Sequence, residues 1–248
     1  MLSKAKIKHI HSLRLGKFRK LHGQFVAEGS INVLDFIGSK LEIVDVFATS
    51  EWITHHRKEI RKIGIIEVDA RELAKVTALK TPSEVLAIFE IPKPSKIDFE
   101  KLGSITLMLE DIRDPGNLGT IIRTADWFGI RQIVCSEETV DCYNPKVVQA
   151  SMGSLARVGV YYTKLKNLIK QKPAGIPVYG AVMNGKSIRE IEKPERLIVL
   201  VGSEAHGISD NLLTLLDERL TIPASSEGGA ESLNASIATA IICYEFSK

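Results

Sequence analysis

"IPVYGAVMNGKS" (176–187) contains, from Gly180 to Ser187, the pattern G-x-x-x-x-G-K-[ST] of a phosphate-binding loop. A working loop of that kind needs a strand before it. It also needs a substantial helix starting at the Lys-Ser, whose first N–H groups cradle phosphate. "IPVY" supplies the strand. The helix has no room, because "KSIREIEK" reaches only Pro194 and the next apolar run, "RLIVLVG" (196–202), starts almost at once. That run ends in Gly202-Ser203-Glu204, without the usual metal-binding Asp. The match is therefore read as accidental, with Asn184-Gly185 as a tight turn, and no ATP is expected.

The surrounding pattern is that of an α/β protein. "SITLMLE", "RQIVCS", "RVGVYY", "IPVYGAV" and "RLIVLVG" alternate with helical stretches near 117–128, 144–153, 164–171 and 209–217. Near-continuous apolar strands separated by helices imply a parallel sheet covered on both faces. Upstream, "FVAEG", "EIVDVFAT", "GIIEVD" and "VLAIFEI" alternate with "SINVLDFIGSK" and "ARELAKVTAL", a smaller α/β domain. "IPKPSKIDFEKLG" (91–103) carries two prolines and little periodicity, and reads as a linker. The expected division is a domain over 1–95, a linker over 96–103 and a second domain over 104–248.

Composition narrows the class. The chain has 248 residues, 44% apolar and 25% charged, as in an ordinary globular protein. No apolar run approaches the roughly 18 to 20 residues that span a bilayer, and the N-terminus lacks the apolar stretch of a signal peptide. Cys135, Cys142 and Cys243 show no paired or metal-like spacing, and His55-His56 is the nearest approach to a His cluster. A reduced cytoplasmic location is expected, with no membrane association and no metal. Residues 1–95 hold 16 Lys and Arg against 11 Asp and Glu, while the remainder holds 17 against 19. Seven basic residues (Lys4, Lys6, Lys8, Arg14, Lys17, Arg19 and Lys20) precede the first acid, Glu28. They form either a solvated face or a contact surface for nucleic-acid phosphates.

Three clusters in the second domain carry chemistry-bearing residues. In "EDIRDPGNLGTIIRTADWFG" (110–129), Leu118, Ile121, Ile122 and Ala125 make an amphipathic helix, with Asp114 or Asn117 as N-cap. Arg123 falls four residues after Gly119 on one face. A cap, a turn glycine and a surface Arg would give the same string. In "VLVGSEAHGIS" (199–209) a buried strand ends at Gly202, turns again at Gly207 and enters a helix near Ser209. Strand C-termini are where open α/β sheets place ligands, although a plain strand-turn-helix also uses glycines. In "LTIPASSEGGAESLNASIATAIICYEF" (220–246) a polar loop follows Ile222-Pro223. Ser232-Leu233-Asn234 then opens an apolar, alanine-rich helix, with Ser232 as a possible N-cap.

Taken in this order and at these spacings, the three segments resemble the SpoU/TrmH family of RNA ribose 2′-O-methyltransferases, within the SPOUT superfamily. Asn117, Gly119 and Arg123 meet its first motif. Gly202, Glu204 and Gly207 meet its second, and Ile222, Pro223, Ser232, Leu233 and Asn234 its third. "ASMGSLARVGVY" (150–161) is similar to the family's middle segment. "LRLGKFRKLHGQFVAEG" (13–29) and "LKTPSEVLAIFEIP" (79–92) are similar to the start and end of its RNA-binding domain, which has a ribosomal-protein-like α/β fold.

The resemblance implies a deep trefoil knot in the C-terminal domain and S-adenosylmethionine as cofactor. Its adenosine pocket would be lined by Ala181, Val182, Gly202, Gly207, Ile222, Pro223 and Leu233. Arg123 would hold the target phosphate and stabilise the developing alkoxide, while Asn117, Glu204, Ser232 and Asn234 orient the ribose and the Arg. Ribosomal RNA is preferred to transfer RNA as substrate. A homodimer is expected, with Asn117 or Arg123 reaching a neighbour's site. A paralogue that binds RNA without catalysis is the alternative the motifs leave open.

Overall fold

The computed structural model describes residues 1–93 and 97–247. Residue 96, at the start of the expected linker, lies outside the described residues. Along the chain run α1 (Lys4–Ser12), α2 (Gly16–His22), β1 (Gln24–Glu28), α3 (Ser30–Ile37), β2 (Ile43–Ala48), α4 (Ser50–His55), β3 (Ile66–Glu67), α5 (Ala70–Val76) and β4 (Val85–Glu90). There follow β5 (Ile105–Leu109), α6 (Pro115–Trp127), β6 (Gln132–Cys135), α7 (Pro145–Ser151), β7 (Gly159–Tyr162), α8 (Leu165–Gln171), β8 (Val178–Ser187), β9 (Leu197–Val201), α9 (Asp210–Leu213), β10 (Glu218–Thr221) and α10 (Ala235–Phe246). The chain divides into two compact units, Met1–Lys93 with Asp141–Arg157, and Pro94–Val140 with Val158–Lys248.

The first unit is built on a four-stranded sheet in the order β1-β4-β2-β3. β4 pairs antiparallel with both β1 and β2, and β3 runs parallel to β2. Side chains alternate across a strand, so the two faces bury different sets. Val26, Phe47, Leu86 and Ile88 join Ile10, Leu13 and Leu73 in one core. Phe25 packs with Phe36, Phe89 and Tyr143. Burial pushes the Tyr143 hydroxyl up from its ordinary value.

The segment Asp141–Arg157 belongs to this unit although it lies between β6 and β7 in sequence. Asn32 Oδ1 accepts from the Gly153 amide at 2.7 Å, and Asp35 pairs with Arg157 at 2.9 Å. Gly153 has φ +82°, and a Cβ there would fall 2.1 Å from Asp35 Oδ2. Arg19 is 3% exposed and donates from Nη2 to Asp141 Oδ2 at 2.6 Å and from Nη1 to two carbonyls of residues 13 and 14. This corrects the reading of the N-terminal basic run. Arg19 is spent inside the unit and is closed to phosphate. Lys6 pairs with Asp45, and Arg14 donates to the carbonyls of Val76 and Thr77. The exposed cations of the run are Lys4, Lys8, Lys17 and Lys20.

The second unit carries a six-stranded sheet in the order β10-β8-β9-β5-β6-β7, parallel throughout. Every residue of β5 and of β9 is buried, as their continuous apolar runs require. Around β8 the structure departs from expectation. The strand runs from Val178 through Ser187, so Asn184-Gly185 is not a tight turn and no helix starts at Lys186-Ser187. Its register with β10 jumps instead. Arg219 pairs with Gly180 and Leu220 with Lys186, which leaves 181–185 as an excursion from that ladder. A Cβ on Gly185 would lie 2.6 Å from the Arg219 carbonyl oxygen, so glycine is needed for backbone approach.

Removing Asp141 should strand a buried guanidinium. Breaking a fully buried pair costs about 3–5 kcal/mol. Asp141 is 36% exposed and two carbonyls remain for Arg19, so Asp141→Ala is expected to cost about 2 kcal/mol, read from the urea unfolding midpoint.

Candidate active site

The first contribution comes from the start of α6. Asp114 caps the helix, its Oδ1 accepting from the Asn117 amide at 2.9 Å, and Pro115 occupies the first turn. Leu118, Ile121, Ile122 and Ala125 are buried, which fixes the helix face. Because Asp114 takes the cap, the Asn117 side chain is free for other work.

The second contribution is the loop after β9. Ser203 and Gly207 exchange backbone hydrogen bonds at 3.1 and 2.9 Å. Gly207 has φ +65°, and a Cβ on Gly202 would lie 2.1 Å from the Gly207 carbonyl carbon. Both glycines are thus required to close the turn itself. Glu110, at the end of β5, accepts from the Ser209 amide at 2.9 Å and ties the far side of the loop down. Glu110 is absent from the motif reading. A carboxylate directly after a buried, mostly apolar strand was its only signal.

The third contribution is the start of α10. Asn234 caps this helix, its Oδ1 accepting from the Ser236 and Ile237 amides at 3.0 and 3.4 Å. Ser232 is not the cap. It lies two residues upstream in the exposed loop.

These three starts meet at Asn117. Its side-chain amide donates to Glu204 Oε1, and its Oδ1 accepts from Asn234 Nδ2 at 2.9 Å. A carboxamide can do both; a carboxylate or a hydrophobe in its place cannot. Arg123 is exposed further along α6, with no hydrogen-bond or ion-pair partner among the described residues. Ser232 likewise stands outside the network. Of the residues expected at a cofactor pocket, Gly202 is buried; Ala181, Val182 and Ile222 are half-buried; and Gly207, Pro223 and Leu233 are exposed. Burial pushes the Cys243 thiol up to about 12, so it stays protonated at neutral pH and is no nucleophile.

α6 and α10 pack side by side. Ile237, Ile241 and Tyr244 follow i, i+4, i+7 along α10 and are exposed, as is Trp127 at 83% on α6. Phe128, the next residue, is half-buried.

Comparison with known proteins matches residues 104–244 to the model of the SpoU rRNA methylase family, which covers Asn117, Arg123, Glu204 and Asn234. The chain belongs to the SpoU rRNA methylase family. Residues 4–87 match an MRM3-like substrate-binding domain. A 23S rRNA (guanosine(2553)-2′-O)-methyltransferase of Bacillus subtilis is 35% identical over 171 residues, taking in 68% of this chain and 66% of that protein, just under two thirds of its length. Among solved structures, one named as an RNA methyltransferase of the TrmH family from Porphyromonas gingivalis is 36% identical, with TM-score 0.86 over 99% of this chain and 98% of that one. An AdoMet-bound rRNA methyltransferase from Sinorhizobium meliloti is 29% identical, with TM-score 0.85 over 99% and 95%. Among the described residues of this SpoU methylase, no helix is long and apolar enough to cross a membrane.

The cap assignment can be checked without any assay of function. Asn234→Ala should lower unfolding free energy by about 1 kcal/mol, the usual cost of losing an N-cap. Ser232→Ala should stay within about 0.5 kcal/mol, as surface changes do. The reverse order in urea denaturation would move the cap back to Ser232.

Proposed function

We propose that this protein is an S-adenosylmethionine-dependent RNA methyltransferase that methylates a ribose 2′-hydroxyl, with ribosomal RNA as substrate. The observation that carries the reading is the bridge from Glu204 through Asn117 to Asn234. It joins three segments far apart in sequence, none of which needs the others for its own local fold. The activities of the named relatives and the matched substrate-binding domain support the same choice.

The lining residues suit that cofactor. Around the ends of β8, β9 and β10 the available groups include backbone, Gly202, whose Cβ position is already filled by the Gly207 backbone, Gly207 in the left-handed conformation, and the apolar side chains of Val182, Ile222 and Leu233. Such a set accepts an adenine ring and a thioether chain, and offers little to a triphosphate. Lys186, the phosphate-loop lysine, sits on a strand with no helix N-terminus beside it, which argues against ATP. When bound, S-adenosylmethionine would supply a methyl group on a sulfonium; its carbon–sulfur bond would break to leave a neutral thioether as the carbon–oxygen bond forms, with the hydroxyl proton passing to a base or to water.

The chain's own residues then have separate tasks. The Arg123 guanidinium, exposed and unpaired among the described residues, holds the target phosphate and stabilises the negative charge growing on the 2′-oxygen. It is not the proton acceptor, because a guanidinium does not deprotonate in proteins. Asn117 holds the Glu204 carboxylate in place for the ribose hydroxyls, and Asn234 holds Asn117. Ser232 approaches from the exposed loop. The alignment these groups impose is itself a large part of the rate.

The protein acts as a homodimer through the face of Trp127, Ile237, Ile241 and Tyr244, since exposed apolar patches of this kind mark association sites. Asn117 bonds within its own chain to Glu204 and Asn234, so the residue available to serve a neighbour's site is Arg123 alone. The deep knot implied by the family resemblance belongs to the same proposal.

Arg123→Ala should bind S-adenosylmethionine normally by calorimetry and lose turnover by at least about a hundredfold, the low end for a positioned catalytic group. Near-normal turnover would sink its role. Mixing Arg123→Ala subunits with Gly202→Val subunits, which cannot close the cofactor loop, should restore part of the activity through heterodimers. Ultracentrifugation showing a monomer at micromolar concentration, or no regain despite subunit exchange, would count against the shared site. Nucleoside mass spectrometry of ribosomal and transfer RNA from a deletion strain decides the substrate.

A further inference from the structure

The N-terminal lysines are not the only exposed cations of the first unit. "HRKEIRK" (56–62), between α4 and β3, contains Arg57, Lys58, Arg61 and Lys62, all exposed and without ion-pair or hydrogen-bond partners among the described residues. The turn that presents them is held firmly. The Glu59 and Ile60 amides donate to the His56 carbonyl at 3.1 and 3.3 Å, the Ile63 amide donates to the Ile60 carbonyl at 3.0 Å, and Ile60 is buried as an anchor. Arg57, Lys58 and Arg61 rim an open concavity of about 1180 Å³ whose apolar lining is Ile53, Ile60, Ile63 and Ile65. Two acids lie in it. Glu59 faces His56 at 4.0 Å, and Glu67 is on β3.

We propose that this turn is a second contact surface for the phosphate backbone of the RNA substrate, separate from the N-terminal lysines. The inference rests on the RNA methyltransferase reading above. An open concavity of this size exceeds the roughly 300–1,000 Å³ of small-molecule pockets. It has cations on its rim and no buried polar group to orient a small ligand, which suits a polymer that brings its own repeated charge. Exposed Lys and Arg bind such a polymer by releasing its counterions. The half-buried isoleucines between the cations offer an apolar surface for sugar or base.

The sheet order separates the two basic regions. α2, with Lys17 and Lys20, packs beside β1 at one edge, and the turn leads into β3 at the other. Three strand spacings of about 4.8 Å lie between those edges, about 14 Å in all. One RNA held at both edges must therefore lie across the unit over several nucleotides, which fixes its direction as well as its position.

The test uses the full chain carrying Lys58→Ser, Arg61→Ser and Lys62→Ser together, with in vitro transcribed, unmodified 23S ribosomal RNA as probe. Three lost cations should lower the slope of log affinity against log salt by about 2, at roughly 0.7 per contact. Affinity at low salt should fall at least about tenfold, while S-adenosylmethionine binding and turnover at saturating RNA stay unchanged. Unchanged affinity and slope in this variant, alongside a loss in Lys8→Ser, Lys17→Ser, Lys20→Ser, would overturn the inference and leave the methyltransferase reading intact. So would unchanged RNA binding with lost retention on immobilised polyglutamate, which would assign the turn to an acidic protein. No RNA binding by the unaltered chain would overturn both.

Discussion

Hydrogen bonds at the candidate site run in one direction, and the rest of the site depends on that. The first free N–H groups of α10 donate to Asn234 Oδ1, Asn234 Nδ2 donates to Asn117 Oδ1, and Asn117 Nδ2 donates to Glu204. Each donor faces the same way, from the positive end of a helix towards a carboxylate. Bonds aligned like this polarise one another, and the helix dipole favours negative charge at its N-terminal end. Two asparagines are needed because each must accept on one side and donate on the other. Aspartate at either position would break the direction and set a second negative charge near Glu204.

That chain is possible only because other residues have taken over the local tasks. Asp114 caps α6, so Asn117 need not. Gly202 and Gly207 allow the backbone bonds that close the loop, and Ser203 Oγ accepts from the His206 amide at 3.2 Å, so Glu204 projects from a turn that does not use its carboxylate for closure. Glu110 holds the exit of the same loop at Ser209, where α9 begins. Local capping and turn closure are cheap and can be done by several residue types. The bridging position admits only a carboxamide of the right length.

Much of this was legible in the sequence, and the failures share a cause. β5 and β9 read as buried strands from unbroken apolar runs, and α6 from its 3.6-residue spacing, because each depends on its own residues. What depended on a distant partner did not read. Arg19 looked like one more surface cation, since its carboxylate partner lies 122 residues away. Asn184-Gly185 looked like a turn because glycine after asparagine usually is one. Gly185 is there because β10 passes within van der Waals distance of its Cα, a fact of sheet order alone. Ser232 looked like the cap of the last helix by type, and only the backbone geometry moves that role to Asn234. The motif residues lie on the three segments read from the sequence, yet the bond joining Asn117 to Glu204 could not be drawn from spacing.

Counting what the network leaves unspent gives the site its chemical character. Asn117 and Asn234 each spend their side-chain oxygen and one of two N–H donors on each other, on Glu204 and on the helix start. Glu204 has one carboxylate oxygen engaged, and no bond to the other occurs among the described residues. Arg123 is wholly unspent on the same helix as Asn117. A fixed anionic oxygen and a free guanidinium are complementary to different parts of a nucleotide. The oxygen can accept from ribose hydroxyls, while the planar fork of donors matches a phosphate. Under the proposed function the held carboxylate would read the sugar, which must be placed accurately, and the unpaired guanidinium would take the phosphate beside it. A site with the roles exchanged would have to hold a guanidinium rigid against its own solvation, and no hydrogen bond or ion pair among the described residues holds Arg123.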